Sequence, residues 1–431
     1  MSFPRYPEYK DSGVAWLGRV PEHWRVDRLK RNLSLLTEKS DSKTNPVALE
    51  NIEGWSGRFI ASETEFEGDG VRFDTGDILF GKLRPYLAKV LLAPWPGEAV
   101  GDFHVLRAKP SVFPRFAQYL MLTRSFIDIV DGSTFGSKMP RAGWEFVGDM
   151  PLPIPSFDEQ KSIAAFLDRE TAKIDDLVAE QEQLITLLKE KRQAVISHAV
   201  TKGLDPSVPM KDSGVEWLGE VPAHWGIGKV KQFFATSSGS TPNTDKQDVY
   251  YNGDIPWIRS LDLTDGDIVE WEVGITPAAI DDTACKLLPV GTVLVAMYGG
   301  DGTIGKNGLL RIPAATNQAI CALLPSPQFE PEFVLAFMQH QRPYWMVGAE
   351  GTRKDPNISQ DRVRNALMPC PSLSEQRVIV EQVKQALSAF GSLEKEAEAV
   401  IGILNERRSA LISAAVTGQI DVRGLANQEA A

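Results

Sequence analysis

Gly300 to Asn307 reads GDGTIGKN after the strand-like run TVLVAMYG, one residue away from the phosphate-cradling pattern G-x-x-x-x-G-K-[ST]. Asn307 replaces the hydroxyl that would hold magnesium, and the chain continues GLLRIP, which cannot form the helix whose N-terminus stabilises phosphate. Nucleotide chemistry is therefore not expected there. The five histidines show no metal-ligand spacing, and His23 and His224 stand beside tryptophans as structural residues. Cys285, Cys321 and Cys370 are too few and scattered for a zinc site or a disulfide framework, so they read as inert thiols of a reducing compartment.

Hydrogen-bond donors on loops remain. Lys82, Arg84 and Tyr86 sit on a turn bounded by Gly and Pro, and Lys138 and Arg141 lie in STFGSKMPRAGW. Further along, Thr241 lies in the turn GSTPN, Arg259 and Ser260 follow PWI, Lys306 and Asn307 end the glycine-rich loop, and Arg353 and Lys354 stand in GTRKDPN. Such side chains recognise by shape and hydrogen bonding without making or breaking bonds. An arginine forks onto guanine O6 and N7, Asn or Gln does the same to adenine, and lysine meets phosphate. Asn317 and Gln318, which lead into an apolar run, read as structural.

The 431 residues suffice for two or three domains, with 43% hydrophobic and 24% charged residues, as in soluble globular proteins. No apolar run approaches the roughly 20 residues that span a bilayer, and MSFPRYPEYKDSGV lacks signal-peptide character, so a cytoplasmic protein is expected. The formal charge of −11 excludes a protein that coats nucleic acid through surplus cations. Residues 1–150 hold 20 basic and 20 acidic side chains; residues 206–367 hold 13 and 19. Any contact with phosphate must be local.

The elements that must position these loops are written twice. KDSGVAWLGRVPEHW, Lys10 to Trp24, returns as KDSGVEWLGEVPAHW, Lys211 to Trp225, with 12 of 15 positions identical. PIPSFDEQKSI from Pro153 answers PCPSLSEQRVI from Pro369, 216 residues later. Flanks are shared and interiors diverge. Trp16, Trp24, Trp217 and Trp225 are expected as buried indoles, and β-type runs at Val71–Phe80, Tyr86–Leu92, Thr292–Tyr298 and Ala319–Leu324 as a small mixed sheet in each copy.

After each PxPSxxEQ segment the chain loses proline and takes up a heptad pattern. The apolar seam is read as Leu167, Ile174, Leu177, Leu184, Leu188 and Val195, with Glu170, Gln181 and Lys191 as polar members. In the second copy it is Val383, Phe390, Leu393, Val400, Leu404 and Leu411, with Ala386, Ala397 and Arg407 between them. Ser156 with Glu159, and Ser372 with Glu375, form S-x-x-E capping boxes. A helix of about 43 residues is roughly 65 Å long, and the cheapest cover for its seam is the other copy, antiparallel.

The opening motif, GDILFGKLRPYL, TNQAI and the doubled PxPSxxEQ-plus-helix unit together resemble the specificity subunits of Type I restriction-modification enzymes, over nearly the whole chain. The resemblance implies an α+β fold: two mixed-sheet target recognition domains in pseudo-twofold tandem repeat, separated by two long antiparallel coiled-coil helices. The expected boundaries are 1–157, first recognition domain; 158–203, central helix; 204–373, second recognition domain; 374–417, C-terminal helix; and 418–431, tail. It further implies a non-catalytic subunit that reads a bipartite site in double-stranded DNA and docks two DNA adenine methyltransferase subunits and translocase-nuclease subunits. No cofactor is expected on this chain; S-adenosylmethionine, ATP and magnesium would belong to the partners. The competing expectation is a coiled-coil adaptor that never touches nucleic acid, which the acidic balance favours.

Overall fold

A computed structural model describes residues 3–40, 44–62, 69–136, 138–299, 302–345 and 357–425. The chain divides into two compact units, residues 1–182 with 398–431, and residues 183–397. Two long helices, α1 (Phe157–Lys202) and α2 (Leu373–Val416), therefore each contribute one half to each unit.

The unlike interiors are small sheets. In the first unit, strands Leu33–Leu36, Phe103–Ala108, Ile78–Gly81 and Val90–Leu92 form an antiparallel sheet in that order. Ile78–Gly81 is buried throughout, as its unbroken apolar run requires. A second, mixed sheet orders Lys39–Ser40, Gly70–Phe73, Gly97–Val100 and Pro46–Val47. The expected run Val71–Phe80 is thus two strands of two sheets. Its break is a turn in which Asp74 N–H donates to Asp77 Oδ2 (2.7 Å) and Gly76 takes φ +87°. Of Tyr86–Leu92 only Val90–Leu92 is strand; Pro85–Leu87 is a 3₁₀ turn. In the second unit a five-stranded sheet orders Thr236–Ser238, Ile320–Leu323, Val293–Ala296, Asn307–Leu310 and Gly266–Ile268.

The shared flanks explain their likeness by what they touch. The strand after each His-Trp pair joins the strand of the Pro-x-Pro segment: Arg25–Arg28 with Pro151–Ile154, and Gly226–Lys229 with Leu367–Cys370. Trp24 and Trp225 are fully buried, whereas Trp16 and Trp217 are half-buried. Each buried indole N–H donates to the glutamate of the following helix, Trp24 to Glu159 Oε1 (3.1 Å) and Trp225 to Glu375 Oε1 (2.9 Å). His23 and His224 lie 3.0 and 3.1 Å from the same carboxylates. The capping box is accordingly half-formed. Ser156 and Ser372 Oγ accept from the Glu159 and Glu375 N–H (3.3 Å each), but the carboxylates serve the indoles instead of the helix start. The neighbouring glutamine clamps the loop before it: Gln160 accepts from Phe113 N–H and donates to Ser111 O, and Gln376 accepts from Glu330 N–H and donates to Gln328 O.

Each arriving helix ends against the same tryptophan. Gly418 (φ +77°) would put a Cβ 3.0 Å from the Trp24 ring and 2.4 Å from Pro21, so both its conformation and its lack of side chain are required. Gly203 (φ +73°) stands likewise 3.3 Å from Trp225. The segment expected as a tail is structural up to Leu425: Val422 is fully buried, and Asp421 N–H donates to Pro4 O (2.8 Å). Tyr6 donates to Glu159 Oε1 (2.8 Å), and burial beside that carboxylate raises its phenol above the usual range.

In each unit the helix halves run antiparallel. In the first, Phe166 and Leu167 share a cluster with Ile412, Ala415 and Val416, and Arg408 Nε donates to Asp175 (3.1 Å). In the second, Ile196, Ala199 and Val200 cluster with Ile379 and Val383, and Lys189 lies 3.4 Å from Glu394. The seam departs from the expected register by one residue in the middle of both copies, while Glu170 and Ala386 stay half-buried as expected, and near the far end Arg408 is covered but its counterpart Arg192 is not. Leu167, Ile174, Leu188, Val195, Val383, Phe390, Leu404 and Leu411 are buried or half-buried as expected. Leu177, Leu184, Leu393 and Val400 are exposed, as are Lys191 and Arg407; the covered positions are Thr171, Val178, Ile185, Leu387, Glu394, Ile401 and Arg408. The physical reason is that the seam includes satisfied polar groups. Thr171 Oγ1 donates to Leu167 O (2.6 Å), and Arg408 is held by Asp175 and Trp55 O, while leucines lie outside.

Two measurements follow. Leu404→Ala should cost about 2 kcal/mol or more in chemical denaturation, while Ile403→Ala, next to it but 65% exposed, should stay within about 0.5 kcal/mol; equal effects would refute this register. Burial also pushes the His340 imidazole down to about 4. Since its folded value lies below the unfolded one, its neutral form supports the fold fully above pH 6.5, and stability falls as pH drops from 6.5 towards 4. The loss should reach on the order of 3 kcal/mol, and His340→Phe should remove that part of the pH dependence.

Candidate nucleic-acid interface

In the first unit the fold brings all five candidate donors onto two abutting loops, Gly81–Leu87 and Ser133–Ala142. The backbones are laced: Ala142 N–H donates to Lys82 O, Arg84 N–H to Pro140 O, and Lys82 N–H to Asp102 O, each at 2.9 Å. Phe135 and Arg141 exchange a further pair at 3.4 and 3.3 Å, closing the second loop into a narrow neck. His104, buried and stacked on Phe80, holds Ala142 O at 2.9 Å, and burial lowers its imidazole, so it stands neutral in the wall.

Charge in these loops is one-sided. The two stretches contain Lys82, Arg84, Lys138 and Arg141 and no acid. Asp102, from the adjoining turn, accepts from Arg141 Nε (3.0 Å) and Nη2 (2.8 Å), with Lys82 at 3.7 Å. Arg141 foremost, and then Lys82, hold the Asp102 carboxyl below the usual range. Arg141 is thereby aimed, with Nη1 left to donate elsewhere. Arg84 takes φ +49°, a conformation costly for a side-chain-bearing residue that the Pro140 bond helps to hold. Arg84, Tyr86 and Lys138 are exposed. Sequence reasoning missed two neighbours, Phe135 and Met139, exposed by 85% and 53%. Their signal was present as large apolar residues inside a Gly-Ser-Pro loop.

The second unit does not gather its candidates in this way. Arg259 is spent on structure, donating to Asp262 through Nε (3.0 Å) and Nη2 (2.7 Å) and to Glu272 (2.7 Å). Ser260 is buried. Asn307 is fully buried in its strand, with its N–H on Asp265 Oδ1 (2.9 Å), so it is corrected from candidate contact to core residue. Lys306 is half-buried, and Arg353 and Lys354 lie outside the described residues. Thr241 is exposed and donates to Gln318 Oε1, so the Gln318 side chain, expected to be structural, stands at the surface and holds Thr241. Asn317 does serve the backbone, accepting from Ala319 N–H (3.2 Å).

Rival chemistries find little here. Gly305 and Lys306 lead into the strand Asn307–Leu310, so no helix N-terminus follows the glycine-rich loop. Among the described residues, no three His, Cys, Asp or Glu side chains are grouped to hold a metal ion, and no helix is long and apolar enough to cross a membrane. Cys285 and Cys321 are buried and Cys370 half-buried; burial pushes the Cys321 thiol up to about 12.

Comparison with known proteins converges on one family. Residues 222–401 match the model of the Type I restriction modification DNA specificity domain. The chain is 27% identical over 192 residues to the EcoDI specificity subunit of Escherichia coli, covering 42% of this chain and 43% of that one. It is 24% identical over 306 residues to the EcoBI subunit, also of Escherichia coli, covering 68% and 64%. The chain thus spans less than two thirds of these two relatives. With the MjaVIII specificity subunit of Methanocaldococcus jannaschii the likeness, at 22% identity, covers 94% of this chain and 95% of the other. In fold, a solved chain of a type I R-M system superposes with a TM-score of 0.71 at 17% identity, over 92% of this chain and 98% of that one. The HsdS subunit from Thermoanaerobacter tengcongensis gives 0.50 at 18%, over 93% and 98%. In sequence over residues 222–401 and in fold over nearly its whole length, the chain is similar to Type I restriction-modification specificity subunits.

Proposed function

We propose that this chain is the non-catalytic, DNA-reading subunit of a Type I restriction-modification complex, each unit reading one half of a bipartite duplex target. The observation that carries the reading is the contrast between frames and interiors: Trp24 and Trp225 are locked to Glu159 and Glu375 alike, while the sheets between them differ in strand order and number. An adaptor would have no use for two different surfaces on equivalent mounts. The −11 charge means that this chain supplies a few aimed contacts, and its partners supply much of the phosphate binding.

The partners in this reading are two DNA adenine methyltransferase subunits, with translocase-nuclease subunits joining them. S-adenosylmethionine, ATP and magnesium belong to those partners, and this chain holds no cofactor. The misread seam residues support a docking role. Leu177, Leu184 and Leu187 on α1 are exposed, and so are Leu393, Val400 and Ile403 on α2. Each of the latter stands 216 residues after its counterpart, the same offset that relates the two PxPSxxEQ segments. Solvent-facing leucines kept at equivalent places in both copies fit two copies of one partner.

Two experiments test the reading. Replacing residues 226–367 by the equivalent of another specificity subunit should change one half of the methylated motif in methylome sequencing and leave the other intact; a change in both halves would refute independent reading. Leu187→Ser with Ile403→Ser should leave the melting temperature of the lone chain within a few degrees yet reduce co-purification of the methyltransferase at least tenfold. Undiminished assembly would place docking elsewhere.

A further inference from the structure

The loop Ser133–Ala142 presents two exposed apolar side chains that cannot hydrogen-bond to a base edge. Phe135 is 85% exposed, the highest value among the large hydrophobic side chains exposed in the described residues, and Met139 is 53% exposed. Neither carries a group that can hydrogen-bond to a base edge. Single exposed apolar residues are ordinary on protein surfaces, but this pair sits on a built support. The neck is closed by the Phe135–Arg141 backbone pair and tied to the neighbouring loop through Pro140 O and Ala142 N–H. Ser133 and Thr134 hydroxyls cap the preceding helix by donating to Val130 O (2.7 Å) and Asp131 O (2.8 Å). Gly136 turns the chain at φ +104° immediately after the phenylalanine. The neck thus presents an aromatic ring to water.

The surroundings indicate what covers it. Arg84 and Lys138 are exposed on the same two loops, Arg141 is aimed by Asp102, and the loops themselves contain no carboxylate. An apolar tip on loops that carry cations and no carboxylate of their own matches a polyanion with a stacked apolar interior. It matches a protein groove poorly, since that would leave the exposed Arg84 and Lys138 to be neutralised. Side chains such as Phe and Met enter duplexes by separating adjacent base pairs, at the least cost where a pyrimidine precedes a purine.

We propose that Phe135, backed by Met139, is a wedge that unstacks one base step in the half-site read by the first unit, with Arg84 and Lys138 on the flanking phosphates. This rests on the DNA-reading function proposed above and adds a shape-dependent element to it: the wedge selects a deformable step that no side chain reads by hydrogen bonding.

The test uses the full chain assembled with its methyltransferase and a duplex bearing the motif found by methylome sequencing, with 2-aminopurine placed in turn at steps of the first half-site. The wild-type complex should brighten the probe at one step away from the methylated adenine, which the methyltransferase itself extrudes. Phe135→Ala should abolish that signal, keep the one at the adenine, and weaken binding about tenfold, the scale of a lost base–aromatic stack; Phe135→Trp should restore both. As Phe135 is exposed, Phe135→Ala should melt as the wild type does. Unchanged fluorescence and affinity in Phe135→Ala would overturn the wedge while DNA reading stood. Failure of Phe135→Ala to assemble with the methyltransferase would overturn it in favour of a protein-docking loop. Failure of the wild-type complex to bind the duplex would overturn the underlying reading as well.

Discussion

A carboxylate near the start of each long helix takes the indole N–H of a buried tryptophan, and most of the architecture follows from that contact. Glu159 is buried, so its charge must be compensated locally. Trp24 and Tyr6 each donate to it, His23 lies within hydrogen-bond distance, and Arg423 approaches to 4.0 Å. Those partners come from the N-terminal arm, the first shared motif and the segment after α2, so one side chain ties together stretches more than 400 residues apart. Removing it would leave several donors buried without an acceptor, which costs more than the hydrogen bonds themselves contribute. The adjacent glutamine extends the junction by clamping the loop before the helix, and the glycine that ends the arriving helix fits only because it has no side chain to strike the tryptophan.

Once that junction is satisfied, the interior between the flanks is constrained only at its ends. The strand after His-Trp and the strand of Pro-x-Pro pair with each other in both copies, so an insert is held at its base. The first copy carries two four-stranded sheets on this base and the second a five-stranded and a three-stranded one. Divergence of the inserts and retention of the flanks are thus two aspects of one mechanical arrangement.

The sequence made the large features legible because they are repeated. A duplicated motif, a capping serine and a proline-free heptad run each identify an element without knowledge of its neighbours, and the helices at Phe157–Lys202 and Leu373–Val416 match that reading. What stayed illegible depended on partners distant in the chain. The seam departs from the expected register where Thr171 and Arg408 are covered with their polar groups satisfied and leucines lie outside, and a hydrophobicity pattern cannot anticipate Asp175 meeting Arg408. Arg259 has the same chemistry as Arg84, but Asp262 and Glu272 take its guanidinium. Asn307 follows a lysine in a glycine-rich loop, yet it begins a strand inside the sheet. Phe135 was overlooked because apolar residues are ordinarily assigned inwards, and only exposure distinguishes a core residue from a presented one.

The two copies differ most in the second attachment of each insert to the helices. In the first unit the loop carrying Trp55 is fastened by charge: Arg58 and Arg408 both meet Asp175, and Arg408 Nη1 donates to Trp55 O (3.0 Å). By the 216-residue offset Asp175 corresponds to Gly391 and Arg408 to Arg192, so the second copy has kept the cation and lost the carboxylate. There Asp265 is bound by Arg342 (2.6 Å) within the insert itself, and Gln193 of α1 reaches Gln339 O at a long 3.4 Å. Both Trp55 and Asp265 are held at positive φ, +66° and +61°, a cost that each local network must offset. At this attachment the ion-paired mount resists displacement by direct charge attraction in a partly buried setting, whereas the neutral Gln193 contact gives less resistance. The frame therefore fixes where each insert begins and ends, and the strength with which its body is pressed onto the helices is left to the insert.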